Sequence, residues 1–401
     1  SAWSADHCRN WERSDPVACI AILHANCYRS DHLDCNLVEY QSFYSHCYNP
    51  LRSKMMSEST AMTILGPVPT SELGTTLMHE HVFNDCSCAW RGHESGYHSE
   101  IMHKKVDASM QQQLIKDPFG CLDNCGNDDE ALAIQELAPV AMHGGKTLVD
   151  PTNRGVGRDP EALMRVAKAT GLNIIMGSGY YLHSSHPAEL SALSVDDIAS
   201  EIEIEYEVGV DQTGARIGLI GEIGVSTEFT DSEMKVLKAS AKAAVRIGLP
   251  LMVHLPAWDR HAHKVLDVVE SCELDPARVI LCHMNPSHDD QSYQQALAAR
   301  GAFIEYDMIG MDYIFEQGSV TCPTDHESAI GLANLAEAGF LDQLLLSQDV
   351  FLKSMLTAYG GKGYAHLFSE FLPRLLGHGF GQKEIDHMMI SNTATSLKIQ
   401  K

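Results

Sequence analysis

Thr75-Thr76-Leu77-Met78-His79-Glu80-His81-Val82 is an apolar run that ends in two histidines one residue apart. Residues i and i+2 of a strand share a face, so His79 and His81 are expected to project together. The threonines, Leu77 and Met78 suit a buried strand. Two imidazoles side by side at a strand end supply half of a metal-ligand set. Alone, the pair reads first as two ordinary histidines near a loop, so its weight depends on what the rest of the chain adds.

Downstream, short apolar segments recur at residues 146–150, 173–177, 217–223, 249–254, 279–283, 302–306 and 344–349. Between them lie helical stretches. One covers residues 128–143. Another opens at Asp159-Pro160-Glu161, with Asp159 as N-cap and proline at the first helical position. A third covers residues 195–208. A capping box, Thr230-Asp231-Ser232-Glu233, starts a fourth that stops at Gly248. Eight strands alternating with helices predict an α/β chain with a parallel sheet closed as a (β/α)8 TIM barrel. No GxGxxG or GxxxxGK[ST] signature marks a phosphate cradle. Residues 84–130 form a long, polar insertion after strand one. A loop of this length is usually functional or mobile. It carries Cys86, Cys88, Cys121 and Cys125, read as uncommitted thiols, with a metal site or a bridge as alternatives.

The 401 residues and 44% hydrophobic content suit a large globular barrel. A formal net charge of -24 argues against nucleic acid or an anionic membrane as partner. No apolar run approaches the roughly 18 residues that span a bilayer. The first residues lack a basic segment followed by an apolar one, so a soluble, cytoplasmic protein is expected. Residues 1–60 differ from the rest: they hold five of the 12 cysteines, show no sustained period and contain no glycine. They read as an extension of unknown role, disordered or non-native, with a natural start at Met55 or Met56. Residues 61–401 read as the barrel.

Barrel active sites assemble at the carboxyl ends of the strands. There stand His79 and His81 (strand one), Glu222 (four), His254 (five), His283 (six) and Asp349 (eight). A histidine ending one strand is commonly just hydrogen-bonded at the core edge. Six metal-capable side chains on one rim are another matter, and a carboxylate in the apolar segment around Glu222 needs a cation beside it. Four imidazoles and two carboxylates match two divalent ions: His79, His81 and Asp349 for one, His254 and His283 for the other, Glu222 bridging. A water shared by two ions ionises near neutral pH, and Asp349 is placed to take its proton. That is the chemistry of ester, lactone, amide or phosphoester hydrolysis.

With these residues in place, the chain resembles the phosphotriesterase-related branch of the amidohydrolase superfamily over about residues 62–398. The resemblance rests on Gly74 to His81, Gly221-Glu222-Ile223-Gly224, His254, His283, Ser347-Gln348-Asp349 and Tyr359-Gly360-Gly361-Lys362-Gly363-Tyr364. It implies a distorted, amidohydrolase-like barrel, a binuclear centre of Zn2+ (or Mn2+, Co2+ or Fe2+), a bridging hydroxide and often a homodimer. The namesake enzymes bridge their metals with a carboxylated lysine, whereas residues 216–224 here contain none. Glu222 takes that place, as in a sub-branch called phosphotriesterase-related for homology alone, so organophosphate hydrolysis is not carried over. Relatives include lactonases and, among vertebrate members, hydrolases of small N-acyl amides. The expected activity is cleavage of a small carboxyl ester or lactone. An N-acyl amide hydrolase is the alternative, and a non-catalytic, metal-bearing ligand-binding barrel is the alternative of another class. Tyr180, Tyr181 and Arg260 are the expected substrate contacts, and Trp258, His261 and His263 could line the pocket. Arg154 and Arg158 read as anion holders or solvated loop residues, Tyr359 to Tyr364 as a mobile flap, and Gln348 as structural.

Overall fold

Eight parallel strands form the barrel: β1 (Thr75–Leu77), β2 (Gly145–Asp150), β3 (Asn173–Met176), β4 (Ile220–Gly224), β5 (Leu251–His254), β6 (Val279–Leu281), β7 (Phe303–Tyr306) and β8 (Leu344–Leu346). The computed structural model describes residues 59–92, 100–315 and 319–400. Residues 1–58 of the extension expected over residues 1–60 therefore fall outside the described residues, which begin at Ser59. The strands pair in two arcs, β1-β2-β3 and β4-β5-β6-β7-β8. Leu77 lies opposite Leu148, Met252 opposite Ile280 and Glu305 opposite Leu345. Isolated hydrogen bonds, rather than a ladder, cross the two gaps. Gly218 N–H donates to Met176 O at 2.9 Å between β3 and β4, and Asp349 N–H donates to His79 O at 3.0 Å between β8 and β1.

Alternation along each strand separates two cores. Val149, Ile175, Leu219, Met252, Ile280, Phe303 and Leu345 fill the barrel interior. Their neighbours Leu148, Ile174, Ile220, Leu251, Leu281, Ile304 and Leu344 face the surrounding helices. Those helices are α1 (Glu130–Met142), α2 (Pro160–Thr170), α3 (Val195–Glu207), α4 (Asp231–Ile247), α5 (Ala262–Ser271), α6 (Gln291–Ala299) and α7 (Asp325–Glu337). The start signals operate as expected: Asp159 caps α2 by accepting from Ala162 N–H, and Thr230 and Glu233 form the reciprocal box of α4, which stops at Gly248 in the left-handed conformation. A hairpin of Thr60–Thr63 against Gly66–Pro69 puts Ala61 into the interior cluster, beside Leu73 and Leu397.

Strand one is shorter than expected. It ends at Leu77, so His79 and His81 lie just beyond the ladder. The cause is Glu80, a fully buried carboxylate that accepts from Ser347 Oγ and from the backbone N–H groups of Gln348 and Val350 at 2.8–3.0 Å. A side chain thus takes the donors that a longer ladder between β1 and β8 would use.

Candidate metal centre

All six residues singled out at the strand ends converge. His79 and His81 follow β1, Glu222 lies within β4, His254 closes β5, His283 comes two residues after β6 and Asp349 three after β8. His283 and Asp349 both have left-handed backbone, with φ of 59° and 50°. Such strain in non-glycine residues concentrates where side-chain placement matters. Gly221, at φ 133°, allows the close approach of β5: a Cβ there would lie 2.3 Å from Met252 O.

The distances suit an ion better than direct hydrogen bonds. His79 Nε2 is 3.6 Å from both Glu222 Oε2 and Asp349 Oδ1, and His81 Nε2 is 3.4 Å from Glu222 Oε1 and 3.3 Å from Asp349 Oδ1. Tetrahedral ligands about 2.1 Å from a zinc-type ion stand about 3.4 Å from one another. Moreover, His79 Nε2 is buried without any hydrogen-bond partner, a state that buried nitrogen rarely tolerates. On the other side, His254 Nδ1 is 3.2 Å and His283 Nε2 3.6 Å from Glu222 Oε2. The two rings are 2.8 Å apart at those nitrogens, which is hydrogen-bond spacing, so an ion between them requires them to part by several tenths of an ångström. Glu222 Oε1 faces His81, while Oε2 faces His79, His254 and His283, so this carboxylate stands between the two sides.

A second layer orients these side chains through their other atoms. Thr152 Oγ1 meets His81 Nδ1 at 2.7 Å, Asp307 accepts from both the backbone N–H and Nδ1 of His283 at 3.0 Å, and Glu305 and Asp307 each stand 3.4 Å from His79 Nδ1. Glu305, Asp307 and Glu80 escaped the sequence reading. The alternation Phe303, Glu305, Asp307, which shares the inward face of β7, was the available signal.

The electrostatics show a pocket that demands positive charge. Burial opposes ionisation of Glu222, yet His79, His254 and His283 hold its carboxyl well below the usual range. Burial likewise disfavours a charged His81 ring, but Asp349 and Glu222 raise it to about 9. His283, also buried, is raised to about 10, chiefly by Asp307. Burial lifts Glu80 to about 8 and Glu305 to about 7.

The other expected contacts divide. Tyr181 belongs to the centre: its hydroxyl is 3.2 Å from His254 Nδ1, and its ring stands edge-on to that imidazole. Tyr180 faces elsewhere, donating to Glu201 at 2.6 Å with Arg154 beside it. Arg260 is engaged on the rim by Asp290, the Trp258 carbonyl and the ring of Tyr293. Arg154 and Arg158 are not free anion holders, since both bind Glu205. Nor is the stretch from Tyr359 to Tyr364 a loose flap: Tyr364 is buried and donates to His81 O at 2.8 Å, and Gln348 Nε2 donates to Gly363 O at 2.6 Å.

A chain of aromatic rings runs outward from His81. Phe351, 6.5 Å from the His81 ring, contacts Phe119 of the excursion after β1. Phe119 meets Phe315 of the β7 loop, and Phe315 meets Trp258 of the β5 loop.

Comparison with known proteins agrees with this geometry. The model of the phosphotriesterase family matches residues 59–397. A phosphotriesterase-related protein of Nematostella vectensis is 33% identical, over 85% of this chain and 99% of its own length. An N-acetyltaurine hydrolase of Tetraodon nigroviridis is 31% identical, over 82% of this chain and 95% of its own. The crystal structure of a resiniferatoxin-binding protein from Rhodobacter sphaeroides superimposes with a TM-score of 0.83 and 50% identity, covering 84% of this chain and 95% of that one. The family model covers nearly all the described residues, and the chain belongs to the phosphotriesterase family.

Proposed function

We propose that the protein is a metal-dependent hydrolase that holds two divalent ions, Zn2+ foremost, and cleaves a small carboxyl ester or lactone. The observation that carries this reading is His79 Nε2, buried and unpartnered between Glu222 and Asp349 at a spacing suited to a shared ion. His79, His81 and Asp349 would hold one ion and His254 and His283 the other, with Glu222 contributing to both. Ions bound there supply Lewis acidity, which brings the pKa of water toward neutrality and polarises an acyl carbonyl.

The chain's own groups do the rest. Asp349 turns Oδ1 toward the histidines of β1 and leaves Oδ2 3.9 Å from His283, free to take the proton of an attacking water and hand it to the leaving oxygen. Tyr181, kept protonated by burial and by the charges of Glu222 and Asp349, donates a hydrogen bond to the substrate carbonyl. The aromatic wall of Phe351, Phe119, Phe315 and Trp258 suits an apolar acyl or aryl group, which favours an ester or lactone. Two other readings have specific support. An N-acyl amide hydrolase follows the N-acetyltaurine hydrolases, and a barrel that only binds its ligand follows the neighbour named for binding resiniferatoxin.

One experiment separates the three: metal analysis of the purified chain, followed by a panel of lactones, aryl esters, N-acyl amino acids and phosphotriesters. About two ions per chain with ester or lactone turnover supports the proposal. Turnover of N-acyl compounds alone transfers it to amides. Full metal occupancy without turnover across the panel leaves the binding barrel.

A further inference from the structure

We propose that Cys86 and Cys125 form a reversible disulfide that staples the stem of the excursion between β1 and α1. The stem is a two-residue antiparallel ladder, with Asn84 opposite Asn127 and Asp85 opposite Gly126. Continued by one residue, it sets Cys86 opposite Cys125. Cys86 N–H donates to Cys125 O at 2.7 Å, and the Cys86 thiol donates to the same oxygen at 2.9 Å. Facing residues at the end of an antiparallel ladder stand about 4.5–5.5 Å apart at Cα, inside the range a disulfide spans. Both thiols are free here.

A metal is the competing use of four cysteines in one segment. Among the described residues, however, the histidine, cysteine and carboxylate groups close enough to share an ion all lie at the barrel centre and include neither Cys86 nor Cys125. The pairing also differs from what sequence proximity suggests, which is 86 with 88 and 121 with 125. Cys86 is half-buried and Cys125 buried, bordering a cavity of about 590 Å³ shared with Asn84, His103, Lys105 and Lys353, so Cys86 is the thiol a reagent meets first.

The oxidant class is a small-molecule disulfide. One cysteine, as thiolate, attacks it to give a mixed disulfide and expels one small thiol. The other, having lost its own proton, attacks the mixed disulfide, closes the Cys86–Cys125 bond and expels the second thiol, so two electrons pass from the protein to the reagent. The closed loop contains Gln111, which donates to the carbonyls of Ser354 and Tyr359, and Phe119, which stands against Phe351 beside the metal centre. Tying the stem restricts the open states of this loop. Bridge formation needs no metal, so it stands apart from the hydrolytic reading.

The test equilibrates the full chain in glutathione buffers of graded ratio at mildly alkaline pH, quenches with acid, alkylates and maps peptides by mass. In the oxidising buffers the Cys86 and Cys125 peptides should be joined, two hydrogens lighter, and separate again under reduced glutathione. Amide exchange over residues 100–123 should slow in the joined form. Both residues alkylated in the most oxidising buffer, or bridges of 86 to 88 and 121 to 125, would overturn the pairing. Unchanged exchange in the bridged chain would overturn the staple. Cys86→Ser and Cys125→Ser should each abolish the slowing; if either variant fails to fold, the mapping of the unaltered chain decides alone.

Discussion

Asp349 combines two properties that make it testable. It is the candidate proton carrier, and its φ of 50° lies where asparagine is among the few tolerated side chains. Asp349→Asn should therefore fold with a thermal midpoint close to that of the parent while turnover falls about 10²–10⁴-fold, the usual weight of a lost general base. A kcat within a few-fold of the parent on the best panel substrate would remove Asp349 from the mechanism. Glu222 faces both sides of the centre, so Glu222→Ala should lower metal content at both positions; two ions retained at undiminished affinity would refute the bridge. Loading should also release protons. Without ions His81 is raised to about 9 and His283 to about 10, whereas a metal takes the neutral ring, so affinity should rise with pH from 6 to 9 and fall on acidification. Titration calorimetry in two buffers of different ionisation enthalpy reads this directly; buffer-independent heats would contradict it. At this scale the convergence of the six candidate ligands was legible because few side chains bind metals and each stood at a strand end. Glu305, Asp307 and Glu80 were not, because a lone acidic residue in an apolar segment does not announce which neighbour it serves.

Single elements were legible where local chemistry decides them. The caps of α2 and α4 work through hydrogen bonds within three residues, so Asp159 and the Thr230–Glu233 box revealed them. The end of β1 depends on donors from Ser347, Gln348 and Val350, far along the chain, and no local pattern encodes it. The same holds for Arg158, which pairs with Glu205 of α3 through two bonds of 2.7 and 2.8 Å, its side chain 4% exposed. Removing Arg158 leaves the buried Glu205 carboxylate only Ser178 and the half-exposed Arg154, so Arg158→Ala should destabilise the fold by about 1.5–3 kcal/mol, measured by urea unfolding. A cost under about 1 kcal/mol would make the pair a surface ornament. Burial opposes the charge of Glu205, but Arg158 and Ser178 depress its pKa below the unfolded value of about 4.3. The pair's stabilisation is thus complete above that value and is lost as pH falls through the lower, folded one. The acid sensitivity of the variant between pH 5 and 3 should be shallower than that of the parent.

For the molecule as a whole, eight apolar segments alternating with helical stretches identified the barrel, because parallel strands buried on both faces leave a strong and repeated signal. The break into two arcs was not legible, since it depends on how the ends of β3 and β8 meet their neighbours. The candidate metal centre sits at one of these joins: His79 and His81 come from the three-strand arc, and Glu222, His254, His283 and Asp349 from the five-strand arc. Across the join, Asp349 N–H donates to His79 O and His79 N–H donates to Ser347 Oγ. Ions held by both arcs add to these bonds only in the folded chain, so they should stabilise the whole barrel by mass action. At a free ion concentration 100 times Kd the gain is about 2.7 kcal/mol per site. Chelation should accordingly lower the thermal midpoint by several degrees, and restoring zinc should bring it back, in scanning calorimetry of the unaltered chain. Glu222→Ala, with weakened sites, should start lower and respond little to the chelator. A parent midpoint unmoved by complete metal removal would show that the arcs hold together without the ions, and that the centre contributes to chemistry alone.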